Sequence, residues 1–335
     1  TNLDVVDIDG AVDMASTLTL AGNADFNGNL DVDGTTDLDG LTVAGNLSVD
    51  GGTIKLDGNY PTGTNNVALG DIALADGSLS GGNNTAIGRS SLYSNTSGAN
   101  NTGIGSGALE NNTTAASNTA VGYHSLLANT TGADNVAVGA TSLDANTTGA
   151  ENVAVGKSSL TGNTTGDFNT AVGENALANN TTADNNTAIG RRAMLANTTG
   201  TGGVAVGTSA LAANTTGDYN IAIGLNALDE NTTGTQNTAL GLSCLGSNTT
   251  GGFNNALGVG ALANNTTAGN NTAVGHSALN ANTTGGLNTA VGAFALESNT
   301  TGEFNVAMGY EALEENTTAD SNSAFGYRAL TANTT

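Results

Sequence analysis

Side chains able to do acid–base or nucleophilic chemistry are few in this chain and poorly spaced for it. His124 and His276 are its only histidines and Cys244 its only cysteine. The two histidines fall at neighbouring but different positions of a repeated phrase, nine copies apart, so neither can partner the other, and both read as surface residues. Cys244 stands where other copies carry Ser125, Ser142, Ala176, Ala210 or Ala261. A free cysteine behaves as a small hydrophobe, so a buried stand-in for Ala or Ser is expected, and one cysteine excludes an intrachain disulfide framework. The glycine-rich run from Gly103 to Gly107 is followed by no lysine and by no helix-forming segment, which fails the context a phosphate loop requires. No close acid pair in a cleft suggests glycoside hydrolysis. No catalytic residue, cofactor site or metal site is assigned, and the chain reads as a protein that is not an enzyme.

Candidates for binding rather than catalysis are more numerous. Asn129, Asn146 and Asn163 each open an Asn-Thr-Thr phrase that satisfies the N-glycosylation pattern, although their periodicity is explained equally by a structural row of asparagines. Phe168, Tyr219, Phe253 and Phe304 occupy one variable position of the repeat and are candidate surface contacts, for glycans by stacking or for the edge of their own coil. Paired threonines suggest an ice-binding array, but they precede a probable corner, whereas a flat array needs strand positions. Asp31, Asp33, Asp37 and Asp39 lie close together in sequence and raise calcium binding. They match neither the helix-loop-helix calcium loop nor the nonapeptide calcium roll, so solvated turns are the preferred reading.

The elements that carry these residues are set by a seventeen-residue phrase, approximately Asn-Thr-Ala-Val-Gly-x-x-Ala-Leu-x-x-Asn-Thr-Thr-Gly-x-x. It recurs fifteen times from Asn84 without insertion or deletion, and once more loosely from Asn66. A fixed period of this length signals a stack in which each copy touches mainly its neighbours. In the copy from Asn118 to Asp134, Thr119 to Val121 predicts one short strand closed by Gly122, and Ser125 with Leu126 predicts a second, closed by Asn129 to Gly132. The glycine at the Gly122 position is kept in every copy, as a corner with positive φ requires, whereas the Gly132 position relaxes to Ala115, Ala183, Ala268 and Ala319. Side chains alternate along a strand, so Ala120 should face a narrow interior with Leu126 and Val121 should face out. The outward stripe of Val121, Val138, Val155, Val172 and Ile189 needs a partner, and a homotrimer around it is expected. Asparagines at the Asn118 and Asn129 positions should stack as two hydrogen-bonded ladders.

The fold class read from this pattern is all-β, a parallel β-solenoid of seventeen-residue coils. Residues 66–335 form the repeat, 60–65 a junction, and 1–59 a β-rich neck with a shorter rhythm of phrases such as Asn29 to Gly34 and Asn46 to Gly51. Composition agrees: charged residues are 10% and aromatics 4%, with 49 glycines and no tryptophan, which excludes an ordinary globular core. The net charge of -23 repels a phosphate backbone, so nucleic acid is not an expected partner. No run of about eighteen apolar residues is present to span a bilayer, and residues 1–10 lack the pattern of a secretion signal.

The phrase from Asn118 to Gly122, followed by Ser125, Leu126 and Asn129 to Gly132, resembles repeats in tail-fibre-like proteins of bacteriophages, notably those of marine cyanobacterial phages, and in related bacterial surface proteins. The Leu-Asp-Val-Asp-Gly phrases of the first sixty residues are similar to their shaft segments, so the resemblance extends over essentially the whole chain. The Val-Ala-Val-Gly and Ile-Ala-Ile-Gly words, as at Val136 to Gly139 and Ile221 to Gly224, also resemble the head repeats of trimeric autotransporter adhesins, whose usual period is shorter. These resemblances imply a trimeric, β-structured attachment fibre of a virion tail or a cell surface, outside the cell. They also imply that the chain is shaft, with host glycan or protein contacted through a tip beyond it. A monomeric ice- or carbohydrate-binding solenoid is the alternative.

Overall fold

A computed structural model describes residues 63–75 and 79–334. The neck expected at 1–59, its aspartates and the start of the junction lie outside the described residues. The rest is one parallel sheet of sixteen strands stacked in chain order, from β1 (Val67–Leu69) to β16 (Ser323–Phe325). Each strand is three residues long, and each pairs with the strand one coil later, as β4 (Thr119–Val121) does with β5 (Val136–Val138) through Ala120↔Ala137. The first step is one residue longer, Val67 pairing with Thr85. The expected β-solenoid is present.

Alternation within these short strands builds the core. The central Ala of β4 is fully buried, while Thr119 and Val121 on either side are only half-buried. Ala120 therefore looks inward, where it meets the columns of Leu126 and Ser125, also fully buried. The interior is one side chain thick, which is why a small residue recurs opposite a large one.

The second expected strand, around Ser125 and Leu126, does not form. His124 and Leu126 have left-handed backbone, φ 53° each, and the same holds at equivalent positions along the stack. Two left-handed residues separated by one cannot pleat. The segment still climbs the stack by hydrogen bonds: His124 N donates to Ser106 O at 3.0 Å, and Leu126 N donates to Ser142 O at 2.9 Å. A left-handed Leu costs about 1–2 kcal/mol; complete burial of its side chain contributes about 2 kcal/mol in return, so the column of buried leucines holds an unfavourable backbone in place.

The expected corner at Gly122 has φ 138°. A Cβ built there would lie 2.5 Å from the carbonyl oxygen of Gly139 in the next coil, so the glycine column is required by backbone conformation and by close approach together. The Gly132 position has no left-handed φ among the glycines of the stack, and natural alanines occur there.

Two buried asparagine rows tie coil to coil. Asn129 Nδ2 donates to Asn112 Oδ1 at 2.9 Å and to Gly132 O at 2.9 Å. Asn118 Oδ1 accepts from Asn135 N at 2.9 Å, and Asn118 Nδ2 donates to the same Gly132 O at 2.9 Å. The first ladder runs amide to amide, as expected; the second runs mainly from side-chain oxygen to backbone N–H. Both rows meet at one carbonyl, which braces the coil across its width.

One break in the pattern is a matched pair. Gly203 replaces the asparagine of the Asn118 row, and Met194 replaces leucine in the buried column. A Cβ on Gly203 would lie 2.7 Å from Met194 Cε, so the longer methionine occupies the room the missing side chain leaves.

Two stability measurements check this account. Gly203→Asn alone should overpack against Met194 and lower stability by about 1–3 kcal/mol. Combined with Met194→Leu, it should restore the missing rung and raise stability above wild type by about 1 kcal/mol. In chemical denaturation, Gly173→Ala, whose Cβ would meet Gly190 O at 2.6 Å with φ 134°, should cost about 3 kcal/mol or more. Gly132→Ala also crowds the next coil, its Cβ meeting Gly149 O and Asn129 Oδ1, but needs no left-handed backbone, so it should cost clearly less than Gly173→Ala, and comparable losses at both positions would contradict the assigned corner.

Candidate interaction surface

The outward side of the sheet is a regular surface of the described stack. The third residue of every strand is Val, Ile, Leu, Met or Phe, and the first is Thr, Val, Ile, Asn or Ser. No charged side chain occupies either column, in a chain of net charge -23. Val138 and Val172 remain 36% exposed and Leu240 41%, so the stripe points outward and none of the described residues covers it. Sixteen strands at about 4.8 Å, each about 10 Å wide, give a face of roughly 75 Å by 10 Å.

Variable positions border this face on both sides. Phe168, Tyr219, Phe253 and Phe304, two residues ahead of their strands, are all more than half exposed. They have left-handed φ of 56–61°, an uncommon conformation for aromatic residues. They do not form one continuous ladder, since they lie two or three coils apart. Tyr219 instead leans over Gly202 of the preceding coil, where an added Cβ would meet its ring at 2.7 Å.

A second aromatic group, just after the strands, is continuous. His276 meets Phe294 edge-on with ring centroids 5.1 Å apart, Phe294 meets Tyr310 edge-on at 5.8 Å, and Tyr310 stacks on Tyr327 at 5.6 Å. Such contacts contribute about 0.5–1.5 kcal/mol each. An ion pair of Arg328 with Glu311 at 3.0 Å lies beside them. The hydrogen bond from Tyr310 to Glu311 holds the tyrosine proton above its ordinary range. His276 is thus a member of a ring column, and the signal was four rings within four coils at two adjacent repeat positions. Tyr123 and His124 make a separate stacked pair at 3.8 Å.

The asparagines proposed for glycosylation are placed otherwise. Asn129, Asn146 and Asn163 are fully buried. Each Nδ2 donates once along its row and once within its own coil, as Asn146 does to Asn129 Oδ1 and Gly149 O and Asn163 to Asn146 Oδ1 and Gly166 O. The ladder leaves these nitrogens no hydrogen to replace with a glycan. The paired threonines divide: Thr130 Oγ1 donates to Thr147 O at 3.0 Å, while Thr131 is exposed at the corner. Among the described residues, no group of three or more His, Cys, Asp or Glu side chains is placed to hold a metal ion.

Cys244 is buried in the Ser/Ala column, its Sγ donating to Ala256 O at 3.2 Å. Burial pushes its thiol up to about 12, and reactivity belongs to the thiolate. At pH 8 the native protein should consume essentially none of an aromatic disulfide reagent, and one equivalent per chain after unfolding. Fast reaction in the folded state would contradict the burial.

A scan against family models and a search of curated proteins both return no match to this chain.

Proposed function

We propose that this chain is the shaft of an extracellular attachment fibre, of the phage tail-fibre type that its repeats resemble, working as a homotrimer around the outward face of the sheet. A shaft must be long, stiff and self-adhering, and must carry a host-binding element away from its base. Length and stiffness follow from coils bonded only to their neighbours without interruption. Self-adhesion is supported by the one observation that carries this reading: a strand face free of formal charge on a strongly acidic chain. Like-charged chains repel, so an uncharged apolar face lets copies approach, and in a trimer its area of roughly 750 Å² is shared between two neighbours. A fibre or adhesin of a cell surface uses the same face in the same way.

Light scattering tests this directly, with a mass near three times 32.6 kDa expected and a clean monomer contradicting it. Val138, Val155 and Val172 changed together to Asp should open the assembly, because unpaired buried charge costs several kcal/mol per group. Thr131, Thr148 and Thr165 changed to Asp, at an exposed corner, should leave the mass unchanged.

A further inference from the structure

The ring column that follows the strands includes two tyrosines stacked face to face. Tyr310 and Tyr327 each follow the corner glycine of their coil, Gly309 and Gly326, and so leave the backbone at equivalent places. Arg328 N donates to Tyr310 O at 2.8 Å, which holds the two coils in register at this point. The rings lie parallel within 10°, with centroids 5.6 Å apart. Phe294 packs edge-on against Tyr310 from the preceding coil, so Tyr310 is blocked on that side and faces Tyr327 on the other. Both remain open to solvent, at 43% and 73%. Among the described residues no other two tyrosine rings touch. A second observation concerns the hydroxyl. Tyr310 donates to Glu311, whose carboxylate also faces Arg328 Nε at 3.0 Å. A phenol that loses an electron must also lose its proton, and a carboxylate already bonded to that proton is placed to take it.

We infer that Tyr310 and Tyr327 form a site of oxidative cross-linking, at which a one-electron oxidant joins the two rings as a dityrosine. The reaction removes two electrons in two steps. Each phenol gives one electron to the oxidant and loses one proton, that of Tyr310 to Glu311 and that of Tyr327 to water. Two phenoxyl radicals remain, their unpaired spin shared with the ring carbons beside the oxygen. One such carbon of each ring bonds to the other, and the hydrogen each carried passes to its own phenolic oxygen, which restores both aromatic rings. With hydrogen peroxide as the terminal oxidant, acting through a haem peroxidase, one peroxide takes up the two electrons and two protons and leaves as two waters. Because the ladder already holds the rings parallel and side by side along the rod, coupling is a step within one molecule instead of an encounter between two. The product is a covalent brace between adjacent coils, closing a loop of seventeen residues where the stack otherwise relies on hydrogen bonds. It needs a single chain and does not depend on self-association.

To test this, the full chain is treated with hydrogen peroxide and a peroxidase, and the single-chain band of a denaturing gel is digested by a protease that cuts after glutamate. Glu311, Glu314 and Glu315 lie between the two tyrosines, so an unjoined chain yields them in separate peptides. The expected product links those peptides at their summed mass less two hydrogen atoms, and shows the blue fluorescence of dityrosine. Tyr327→Phe keeps a ring in the stack but lacks the phenol, and should remove nearly all of that fluorescence from the single-chain band, whereas Tyr123→Phe and Tyr219→Phe should leave it. Glu311→Gln offers an acceptor but no base, and should slow the joining; an unchanged rate would overturn the assigned path of the proton. Separate peptides after the oxidant is consumed, joined peptides only in bands of two or more chains, or fluorescence that survives Tyr327→Phe would overturn the site.

Discussion

The buried asparagine amide is the group on which the rest of this molecule depends. At the Asn129 row, one side chain must accept from the coil above, donate to the coil below and donate again to the carbonyl that ends its own turn; Asn129 makes all three contacts with Asn146, Asn112 and Gly132. Aspartate of the same length lacks the donors and would bury a charge, leucine would orphan the carbonyl, and glutamine is one methylene too long for the space. A buried polar group left unpaired costs about 1–3 kcal/mol, and here each substitution would orphan several. Among the described residues, no buried side-chain nitrogen or oxygen lacks a partner. A requirement of this kind, repeated in nearly every coil, explains why the period holds from Asn84 onward; at the one longer step, before it, Asn84 N still donates to Asn66 Oδ1 at 2.8 Å.

With register fixed by amides, the hydrophobic core can be slight. It consists of an alanine column facing a leucine column, with Ser, Ala or Cys beside them. Only three residues in seventeen form strand, and the remainder is turn with three or four left-handed residues in each coil. Turns of this composition would not persist alone. They are held because each donates and accepts in the coils next to it, so conformational cost and ladder bonding are inseparable. The exchange at Met194 and Gly203 shows the tolerance of the arrangement: a rung can be lost where a neighbouring side chain fills its volume.

Much of this was legible in the sequence, and the failures have physical causes. The invariant glycine, the inward Ala120, the outward Val121 and both asparagine rows follow from period, alternation and the shared need of identical coils. The second strand was misread because Ser125 and Leu126 look extended in sequence, whereas leucine carries no mark of left-handed backbone and adopts it only where burial compels. The ring column from His276 to Tyr327 escaped notice because Phe294 sits one repeat position away from His276, Tyr310 and Tyr327. The glycosylation pattern at Asn129 was real as a string but describes a side chain whose hydrogens are already used. The charge-free face was visible as a stripe.

Function then rests on what a rod of this build presents. An acidic surface sets like-charged copies apart, and the uncharged strand face is the surface on which the proposed association rests. That face stays continuous only while the amide ladders hold successive coils in register, so the state of the ladder is the central claim. Hydrogen exchange of the asparagine side-chain amides, followed by NMR on the folded protein, tests it most directly. The account predicts that Nδ2 hydrogens of the Asn118 and Asn129 rows, buried from Asn84 to Asn316, exchange orders of magnitude more slowly than those of free asparagine. Exchange at free-asparagine rates along either row would contradict it.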